Sequence, residues 1–303
     1  MDKWNQIELF VLTAELGNLT KSAETLGISK ATATRLLTAL EKRLNARLIE
    51  RNTRGLSLTE VGNLFYFKCK DILDDLKEAE SAASETSNEP TGTLRITSSS
   101  SFCIQYITPT LSLFQKSYPK IDVELVSVNK YLDLIESGID IAIRTREFEP
   151  NNNITVRKLA QTRRILAASP AYLEKNGVPK SIEELQEHKF LLYTYIHKPD
   201  VLHFTRGDES QMIKVKSALK ANDGLILKSA ALDGLGILIQ ASSLIHSEVE
   251  SGTLIPILSE WELPTFSINF AYRNRTHLPA KVRVFIDFMV EQFKHSEIER
   301  KWI

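Results

Sequence analysis

The chain has 303 residues, of which 43% are hydrophobic and 25% are charged, and its formal net charge is zero. One hydrophobic core rarely organises so long a chain, so we expect two or three folded domains, and the composition argues against disorder. Glu8 and Glu15 interrupt the apolar N-terminal residues, and no stretch approaches the roughly 20 apolar residues of a membrane span, so we expect a cytoplasmic chain without a membrane partner.

The zero net charge conceals two blocks of opposite sign. Between residues 21 and 54, eight Lys and Arg side chains stand against three Glu side chains. Between residues 71 and 89, one Lys stands against seven Asp and Glu side chains. A local basic block is typical of a surface that binds a polyanion, so the N-terminal region is the candidate nucleic-acid interface.

Three short helices are predicted at the N-terminus. The buried face of the first is expected to carry Trp4, Ile7, Phe10, Val11 and Ala14, and the helix ends at Gly17 and Asn18. Thr20 is expected to cap a second helix that ends at Leu26. Gly27 supplies the positive φ of a tight turn, and Ser29 caps the third helix.

The third helix has an apolar stripe and a polar one. Its apolar stripe is Ala33, Leu36, Leu37 and Leu40. Small Ala23, then Gly27 four residues later and Ile28, is the spacing of a helix-turn-helix whose second helix enters the major groove. Hydroxyls and cations contact bases and phosphates there, so the predicted contacts to double-stranded DNA are Thr20, Ser29, Lys30, Thr32, Thr34 and Arg35. A solvated helix pair in an unrelated bundle is the alternative.

A small hairpin is predicted next. The segments ARLIERN and GLSLT read as two short strands on either side of a turn at residues 52–55. Arg51 and Arg54 lie near the tip of this wing, where they could reach a phosphate or the minor groove. Arginines that are merely solvated on an exposed turn are the alternative.

A long helix is predicted after Thr59, its cap, because neither proline nor glycine follows Gly62 before residue 90. Its apolar residues advance by four and three in alternation: Phe65, Cys69, Ile72, Leu76, Ala79 and Ala83. This is an a/d repeat, which predicts a seam between two copies of the chain, and a homodimer suits a palindromic DNA site. Packing of the helix on its own domain is the alternative.

The block ELGNLTKSAETLGISKATATRLLTALEKRLNARLIERNTRGLSLTEVG resembles the DNA-binding end of the LysR-type transcriptional regulators. The rest of the chain matches that family in order and length. The resemblance implies a winged helix-turn-helix domain at 1–58, a linker and dimerisation helix at 59–89, an effector-binding domain at 91–303, and dimers that pair into tetramers. Ala31 stands where the family commonly has proline, at a position that often contacts bases, and LIER replaces the usual LFER. Ala31 is therefore a further predicted DNA contact, but no preferred site carries over.

Beyond a short hinge at residues 89–92, apolar runs alternate with helical stretches, which predicts mostly parallel sheets covered on both faces. The resemblance implies that the last strand and helix return to the first subdomain. The predicted fold class is thus α/β with an N-terminal winged helix-turn-helix, a long linker helix and two Rossmann-like α/β subdomains resembling periplasmic binding proteins. Lobe I is expected at 91–162 and 265–303, and lobe II at 163–264.

Two α/β lobes on a hinge enclose a cleft, and ligands of open α/β sheets lie beyond the carboxyl ends of the strands. This rule selects the candidate effector contacts Ser99, Ser100, Phe102, Asn129, Arg144, Thr145, Asn222 and Asp223. Ser99, Ser100 and Arg144 favour a negative group, so we expect a small carboxylate as the small-molecule effector. The alternatives are an ordinary strand-to-helix turn at the serines and a structural ion pair at Arg144.

Enzyme signatures are missing from the sequence. Gly234 and Gly236 lack the third glycine of a dinucleotide fingerprint, no phosphate-binding, nucleophile-elbow or zinc-protease motif occurs, and the six histidines are scattered. We expect no catalytic residue, metal or cofactor. The remaining alternatives are a solute-binding protein with an unusual N-terminus and an enzyme-derived sensor fused to a DNA-binding domain.

The two cysteines, Cys69 and Cys103, fall in different predicted domains, which predicts neither a disulfide nor a metal cluster. We interpret them as buried free thiols, and a redox sensor is the alternative.

Overall fold

The computed structural model describes residues 2–52, 55–83, 89–145, 153–274 and 278–302. The chain divides into two compact units, residues 1–92 with 133–138 and residues 93–132 with 139–303. Within the described ranges, no helix combines the length and the apolar character that crossing a membrane requires.

The first unit contains three short helices, a hairpin and a long helix. The elements are α1 (Lys3–Leu16), α2 (Leu19–Thr25), α3 (Lys30–Leu44), β1 (Ile49–Asn52), β2 (Gly55–Leu58) and α4 (Glu60–Ala83), with β1 and β2 antiparallel. Gly17 and Gly27 have the positive φ that their turns require, 59° and 65°. The Ser29 hydroxyl caps α3 as predicted, by accepting the N–H of Thr32 at 3.1 Å.

Two details of α1 and α2 differ from the predictions. Asn18, not Thr20, caps α2, because the Asn18 Oδ1 accepts the N–H groups of Thr20 and Lys21 at 2.9 and 3.1 Å. Trp4 is 45% exposed, since it lies in the first turn of α1 at the edge of the core. The buried face of α1 is Gln6, Leu9, Phe10, Val11 and Thr13.

Helix α4 begins at the predicted cap, where the Thr59 hydroxyl accepts the N–H of Gly62 at 2.8 Å. Gly62 lies against the backbone that enters the hairpin, and a Cβ at this position would lie 2.0 Å from the carbonyl oxygen of Leu48. Only glycine fits at this contact, which fixes the start of α4 against the hairpin of the first unit.

The predicted dimer seam is wrong at its first two positions. Cys69 is 2% exposed in the core formed by α1 to α3, and the Phe65 ring lies 5.5 Å from that of Phe10. The spacing that forms a coiled-coil seam also packs a helix on its own domain, and at these residues the second arrangement is present. Ile72 and Leu76, further along the helix, are 47% and 38% exposed. The side chain of Ala79 lies outside the described part of the chain.

The second unit contains two five-stranded sheets. In lobe I the strands are β3 (Gly92–Ser98), β4 (Ile121–Ser127), β5 (Ile141–Arg144), β6 (Ile154–Thr162) and β14 (Phe266–Arg273), in the order β4-β3-β5-β14-β6. The helices of lobe I are α5 (Ser100–Phe102), which continues through a π-helical turn at Cys103–Ile107 into α6 (Thr108–Ser117), and α10 (Ala280–Ser296). A 3₁₀ turn at Ile298–Lys301 follows α10.

Lobe II is built on the second sheet. Its strands are β7 (Arg164–Ala168), β8 (Lys189–Tyr193), β11 (Lys216–Ala221), β12 (Ile237–Ala241) and β13 (Ile255–Ile257), in the order β11-β8-β12-β7-β13. Its helices are α7 (Pro170–Asn176), a 3₁₀ turn at Glu183–Glu187, α8 (Gly224–Leu232) and α9 (Ser242–Glu250). A separate hairpin of β9 (Val201–Arg206) and β10 (Glu209–Lys214) was not predicted.

The sheets are mostly parallel, as predicted, but among the described strands each sheet contains one reversed strand, β14 in lobe I and β7 in lobe II. In lobe I, β3 and β5 are parallel, but β14 is antiparallel to β5 and β6. In lobe II, β8 is parallel to β11 and β12, but β7 is antiparallel to β12 and β13. The antiparallel strands β7 and β14 are those that follow the two crossings between lobes. Strand β14 lies in the first sheet, as the family resemblance implies.

Candidate nucleic-acid interface and ligand cleft

Helix α3 has one buried face and one exposed polar face. Ala33, Leu36, Leu37 and Leu40 are buried in the core of the first unit. The exposed residues on the opposite side are Lys30, Ala31, Thr34, Arg35 and Thr38, and Thr32 is half-buried. The helix therefore offers two cations, two hydroxyls and one methyl group on a surface that can meet the edges of base pairs.

The hydroxyls on this face also have partners within the helix. The Ser29 and Thr32 hydroxyls lie 2.9 Å apart, and the Thr34 hydroxyl donates to the carbonyl oxygen of Lys30 at 3.0 Å. A hydroxyl that donates one hydrogen bond can still accept another. The Thr34 hydroxyl can therefore accept a hydrogen bond from DNA, whereas the long side chain of the neighbouring Arg35 can donate hydrogen bonds.

The wing is held against α3 by Glu41. Its Oε1 accepts the N–H groups of Leu48 and Ile49 at 2.8 and 3.2 Å, so the first hairpin strand begins at a fixed place beside the end of α3. Arg51 lies on this strand, opposite Leu56. Arg54, the other predicted wing contact, lies outside the described residues.

A polar cluster ties α4 to the end of α1. Lys70 Nζ donates to Glu15 Oε1 at 2.7 Å and to the Tyr66 hydroxyl at 3.2 Å, and that hydroxyl donates to the same carboxylate at 3.2 Å. Burial raises the pKa of Tyr66, so the phenol stays protonated near neutral pH. The cluster fixes the direction of α4 relative to α1.

An exposed apolar stripe runs along α4. It consists of Val61, Leu64, Ile72 and Leu76, all exposed. Spacings of three, four, seven or eight residues place side chains on one face of a helix, and these four residues share that face with Phe65 and Cys69, which pack on the core of the first unit. The predicted seam began at Phe65, so it did not include Leu64 or Val61, which lies four residues before Phe65.

The second unit contains a cavity of about 260 Å³ between its two lobes. Five predicted effector contacts line it: Ser99, Phe102, Asn129, Arg144 and Thr145. Three do not line it: Ser100, Asn222 and Asp223. The expectation that a ligand lies beyond the carboxyl ends of the strands therefore located the cleft, but it did not identify every side chain that faces the cavity.

The serine turn explains why Ser100 is absent from the cavity wall. The Ser99 hydroxyl accepts the N–H of Phe102 at 3.3 Å and lies 3.1 Å from that of Ser101, and both serines line the cavity. The Ser100 hydroxyl instead accepts a hydrogen bond from Ser127 at 2.8 Å. Consecutive side chains at the start of a helix point in different directions, so they cannot all face one cavity.

Asn222 and Asp223 brace the residues that do line the cavity. Asp223 Oδ2 accepts a hydrogen bond from Asn129 Nδ2 at 2.7 Å, and its Oδ1 caps α8 by accepting the N–H of Leu225 at 2.7 Å. Asn222 Nδ2 donates to the Tyr195 hydroxyl at 3.1 Å. These two predicted contacts are therefore supports of the cleft in this structure.

The described residues of the cavity wall include two cations. Arg144 lies with its guanidinium 5.4 Å from the centre of the Tyr131 ring, and Nη1 donates to the carbonyl oxygen of Leu132 at 3.5 Å. Among the described residues that line the cavity, Lys130 and Arg144 are cationic and none is Asp or Glu. A cavity of this charge attracts an anion.

Most of the aromatic wall was not predicted from the sequence. Tyr106, Tyr131, Tyr193, Tyr195 and Phe266 all line the cavity. Burial, together with the nearby Tyr131, Asp223 and Tyr195, raises the pKa of Tyr193 to about 12. Burial also raises the pKa of Tyr106. Both phenols are therefore neutral hydrogen-bond donors near neutral pH.

A π-helical turn carries two contacts between the lobes. Tyr106 donates from its hydroxyl to the carbonyl oxygen of Ser243, and Gln105 Nε2 donates to that of Leu244 at 3.0 Å. Both donors lie on the turn at Cys103–Ile107, and both also line the cavity. A π turn rotates side chains relative to a regular helix, and nothing in the sequence marked this turn.

Cys69 and Cys103 are both free and buried, as the sequence analysis expected. Burial raises the pKa of Cys69 to about 11 and also raises that of Cys103, so neither is a reactive thiolate near neutral pH. Within the described ranges, no group of three or more His, Cys, Asp or Glu side chains is placed to hold a metal ion.

Comparisons with known proteins match both units. The family described as "Bacterial regulatory helix-turn-helix protein, lysR family" matches residues 4–63, and "LysR substrate binding domain" matches residues 87–294. An uncharacterized HTH-type transcriptional regulator of Haemophilus influenzae is 35% identical over 282 residues, which cover 93% of this chain and 98% of that protein.

Solved structures agree over nearly the full length. CrgA, a LysR-type transcriptional regulator from Neisseria meningitidis, is 31% identical with a TM-score of 0.63, covering 96% of this chain and 99% of that one. AphB, a Vibrio cholerae virulence activator of the LTTR family, is 31% identical with a TM-score of 0.58 and the same coverage.

Proposed function

Because the chain belongs to the LysR family of transcriptional regulators, we propose that α3 binds a palindromic operator and that the cleft binds a small carboxylate. The protein is a LysR-type transcription regulator with an effector-binding domain. The proposed domains are the DNA-binding domain at 1–58, the linker helix at 59–89 and the effector-binding domain at 91–303, with the lobe limits given above.

The exposed face of α3 carries the DNA proposal. Lys30, Ala31, Thr34 and Arg35 are exposed on the side opposite the buried stripe, and Arg35 can present a fork of donors to guanine. Thr20, Ser29 and Thr32 lie at or near the starts of α2 and α3, where they could contact phosphates. Arg51 and Arg54 on the wing would add sequence-independent phosphate contacts.

The charge of the cavity wall supports the carboxylate. Lys130 and Arg144 supply positive charge, and Ser99, Ser101 and Thr145 supply hydroxyl groups on the same wall. A carboxylate accepts hydrogen bonds from both kinds of group, and charge-assisted bonds are the strong ones.

The exposed stripe of α4 supports a homodimer. Ile72 and Leu76, with Val61 and Leu64, would pair with the same residues of a second copy across a two-fold axis, which matches the two half-sites of a palindrome. Pairing of such dimers into tetramers is proposed on the family resemblance. We also propose that the protein has no catalytic activity and acts in the cytoplasm, because its relatives are named as transcription regulators.

A band-shift experiment tests this function. DNA from upstream of the chain's own gene is titrated with the full-length protein, with and without a panel of organic acids. We expect specific retention of this DNA over random DNA of equal length, and a change in affinity or mobility with at least one acid. Equal retention of both DNAs would contradict the operator proposal, and a response confined to neutral or cationic compounds would contradict the carboxylate.

A further inference from the structure

The aromatic content of the cavity narrows the chemical class of the effector. Six aromatic side chains line a space of about 260 Å³: Phe102, Tyr106, Tyr131, Tyr193, Tyr195 and Phe266. We propose that the effector is a monocyclic aromatic carboxylate, a benzoate-like acid whose ring packs among these side chains. The proposal rests on the carboxylate class proposed above and adds the ring.

The rings come from both lobes. Tyr193 and Tyr195, at and just after the end of β8, belong to lobe II, and the other four rings belong to lobe I. The Phe102 and Tyr106 rings lie 5.0 Å apart, and Tyr193 and Tyr195 lie 5.9 Å apart at 89°. A ligand ring between the lobes would therefore meet aromatic faces and edges on opposite walls, which is the geometry that aromatic pairs favour.

Two of these side chains line the cavity and are also partly exposed to solvent. Tyr131 and Tyr195 are 45% and 46% exposed, although tyrosines that serve only as core residues are mostly buried. Tyrosine offers a large contact area and few rotatable bonds, so it loses little entropy when it holds a ligand. One exposed ring on each lobe suits a ligand bound between the lobes.

The size of the cavity suits a small ligand. Its volume of about 260 Å³ lies just below the roughly 300–1,000 Å³ of pockets that hold drug-sized ligands. The guanidinium of Arg144 over the Tyr131 ring places a cation beside an aromatic face. An aromatic acid presents a flat ring and an anion in one small molecule, which matches both features.

Calorimetry with three probes of similar size tests the proposal on the full-length protein. Benzoate carries both features, cyclohexanecarboxylate keeps the charge without the aromatic ring, and benzamide keeps the ring without the charge. We expect benzoate, or one of its hydroxy or amino derivatives, to bind at least tenfold more tightly than either comparison compound.

The outcomes separate this inference from the proposed function. If cyclohexanecarboxylate binds as tightly as every benzoate, the proposal of an aromatic ring is wrong, and the proposal of a carboxylate still holds. Benzamide binding as tightly as benzoate would overturn the carboxylate, and the aromatic acid with it. If no benzoate binds at millimolar concentration, the inference is wrong, and binding of aliphatic acids such as succinate would then keep the proposed carboxylate.

Variants of Tyr195 test whether benzoate binds in the cavity. Tyr195→Phe keeps the ring, so we expect benzoate affinity within about twofold of the wild type, whereas Tyr195→Leu should lose about tenfold. Tyr118→Leu is the matched control, because Tyr118 packs against Phe114 at 5.1 Å and does not line the cavity. Circular dichroism checks that each variant is folded. If Tyr195→Leu and Tyr118→Leu lose equal benzoate affinity, the proposed contact between the Tyr195 ring and the ligand is wrong.

Discussion

Asn129 of lobe I donates a 2.7 Å hydrogen bond to the Asp223 carboxylate of lobe II, across 94 positions of sequence. The same carboxylate caps α8 by accepting the N–H of Leu225 at 2.7 Å. One side chain thus joins the two lobes at the cleft and fixes the start of a lobe II helix.

Asn129→Ala should destabilise the protein less than Asp223→Ala. Loss of a hydrogen bond to a charged group costs about 1.5–3 kcal/mol, and loss of a helix cap costs about 1 kcal/mol more. Urea unfolding of both variants and of the double variant measures the coupling between them. Equal destabilisation by the two single variants would contradict the double role of Asp223.

Gly62→Ala should destabilise the DNA-binding unit, because the added Cβ would lie 2.0 Å from the carbonyl oxygen of Leu48. Overpacking of this kind costs about 1–3 kcal/mol, and here the obstructing atom belongs to the backbone. Asn63→Ala, at the next and exposed position of α4, is the matched control and should be neutral. Thermal unfolding followed by circular dichroism compares the two, and an unchanged Tm for Gly62→Ala would show that the contact is absent.

Ile72→Asp should dissociate the proposed dimer without unfolding the chain, since Ile72 is 47% exposed. A carboxylate there would face its own copy across the two-fold axis, where burying like charges is unfavourable. Cys69→Asp should instead unfold the DNA-binding unit, because Cys69 is in its core. Sedimentation velocity and circular dichroism distinguish the two effects. If Ile72→Asp remains a dimer, Ile72 is not part of the dimer interface.

The ion pair of Lys228 and Glu248, at 2.6 Å between α8 and α9, should give lobe II an acid-sensitive contribution to stability. Burial alone would raise the pKa of Glu248, but the hydrogen bonds from Lys228, Ser247 and the backbone, together with the positive charge of Lys228, outweigh burial and lower the pKa. A carboxyl group whose pKa is lower in the folded state than in the unfolded state stabilises the fold at pH values above its unfolded pKa. This stabilisation is lost as the pH falls through the folded-state pKa. Glu248→Gln should therefore lower the Tm near neutral pH and match the wild type in strong acid. A Tm difference that does not change with pH would contradict this role.

Regular periodicity made the core of the first unit predictable. Ala33, Leu36 and Leu40 recur at the helical period, and Gly27 marks a turn that favours positive φ, so the helix-turn-helix follows from local rules. Phe65 and Ile72 share one repeat in the sequence, but only the fold determines that Phe65 packs on Phe10 while Ile72 stays exposed.

The cleft was less predictable because it depends on side-chain direction and on contacts between distant segments. The end of a strand gives the position of Ser100, but not that its hydroxyl pairs with Ser127. Tyr106 faces the cavity from a π-helical turn, and no residue pattern in the sequence announces that turn.

DNA binding by Arg35→Ala and Arg51→Ala, measured by fluorescence anisotropy on operator and random duplexes at one salt concentration, tests the central claim most directly. Arg35 lies on the exposed face of α3, so its loss should cost about 1–3 kcal/mol on the operator and relax the preference at one position per half-site. Arg51 is a proposed backbone contact, so its loss should weaken binding to both duplexes similarly. We expect a reduced ratio of operator to random affinity for Arg35→Ala alone, and equal losses on both duplexes for both variants would contradict the proposed division between base and backbone contacts.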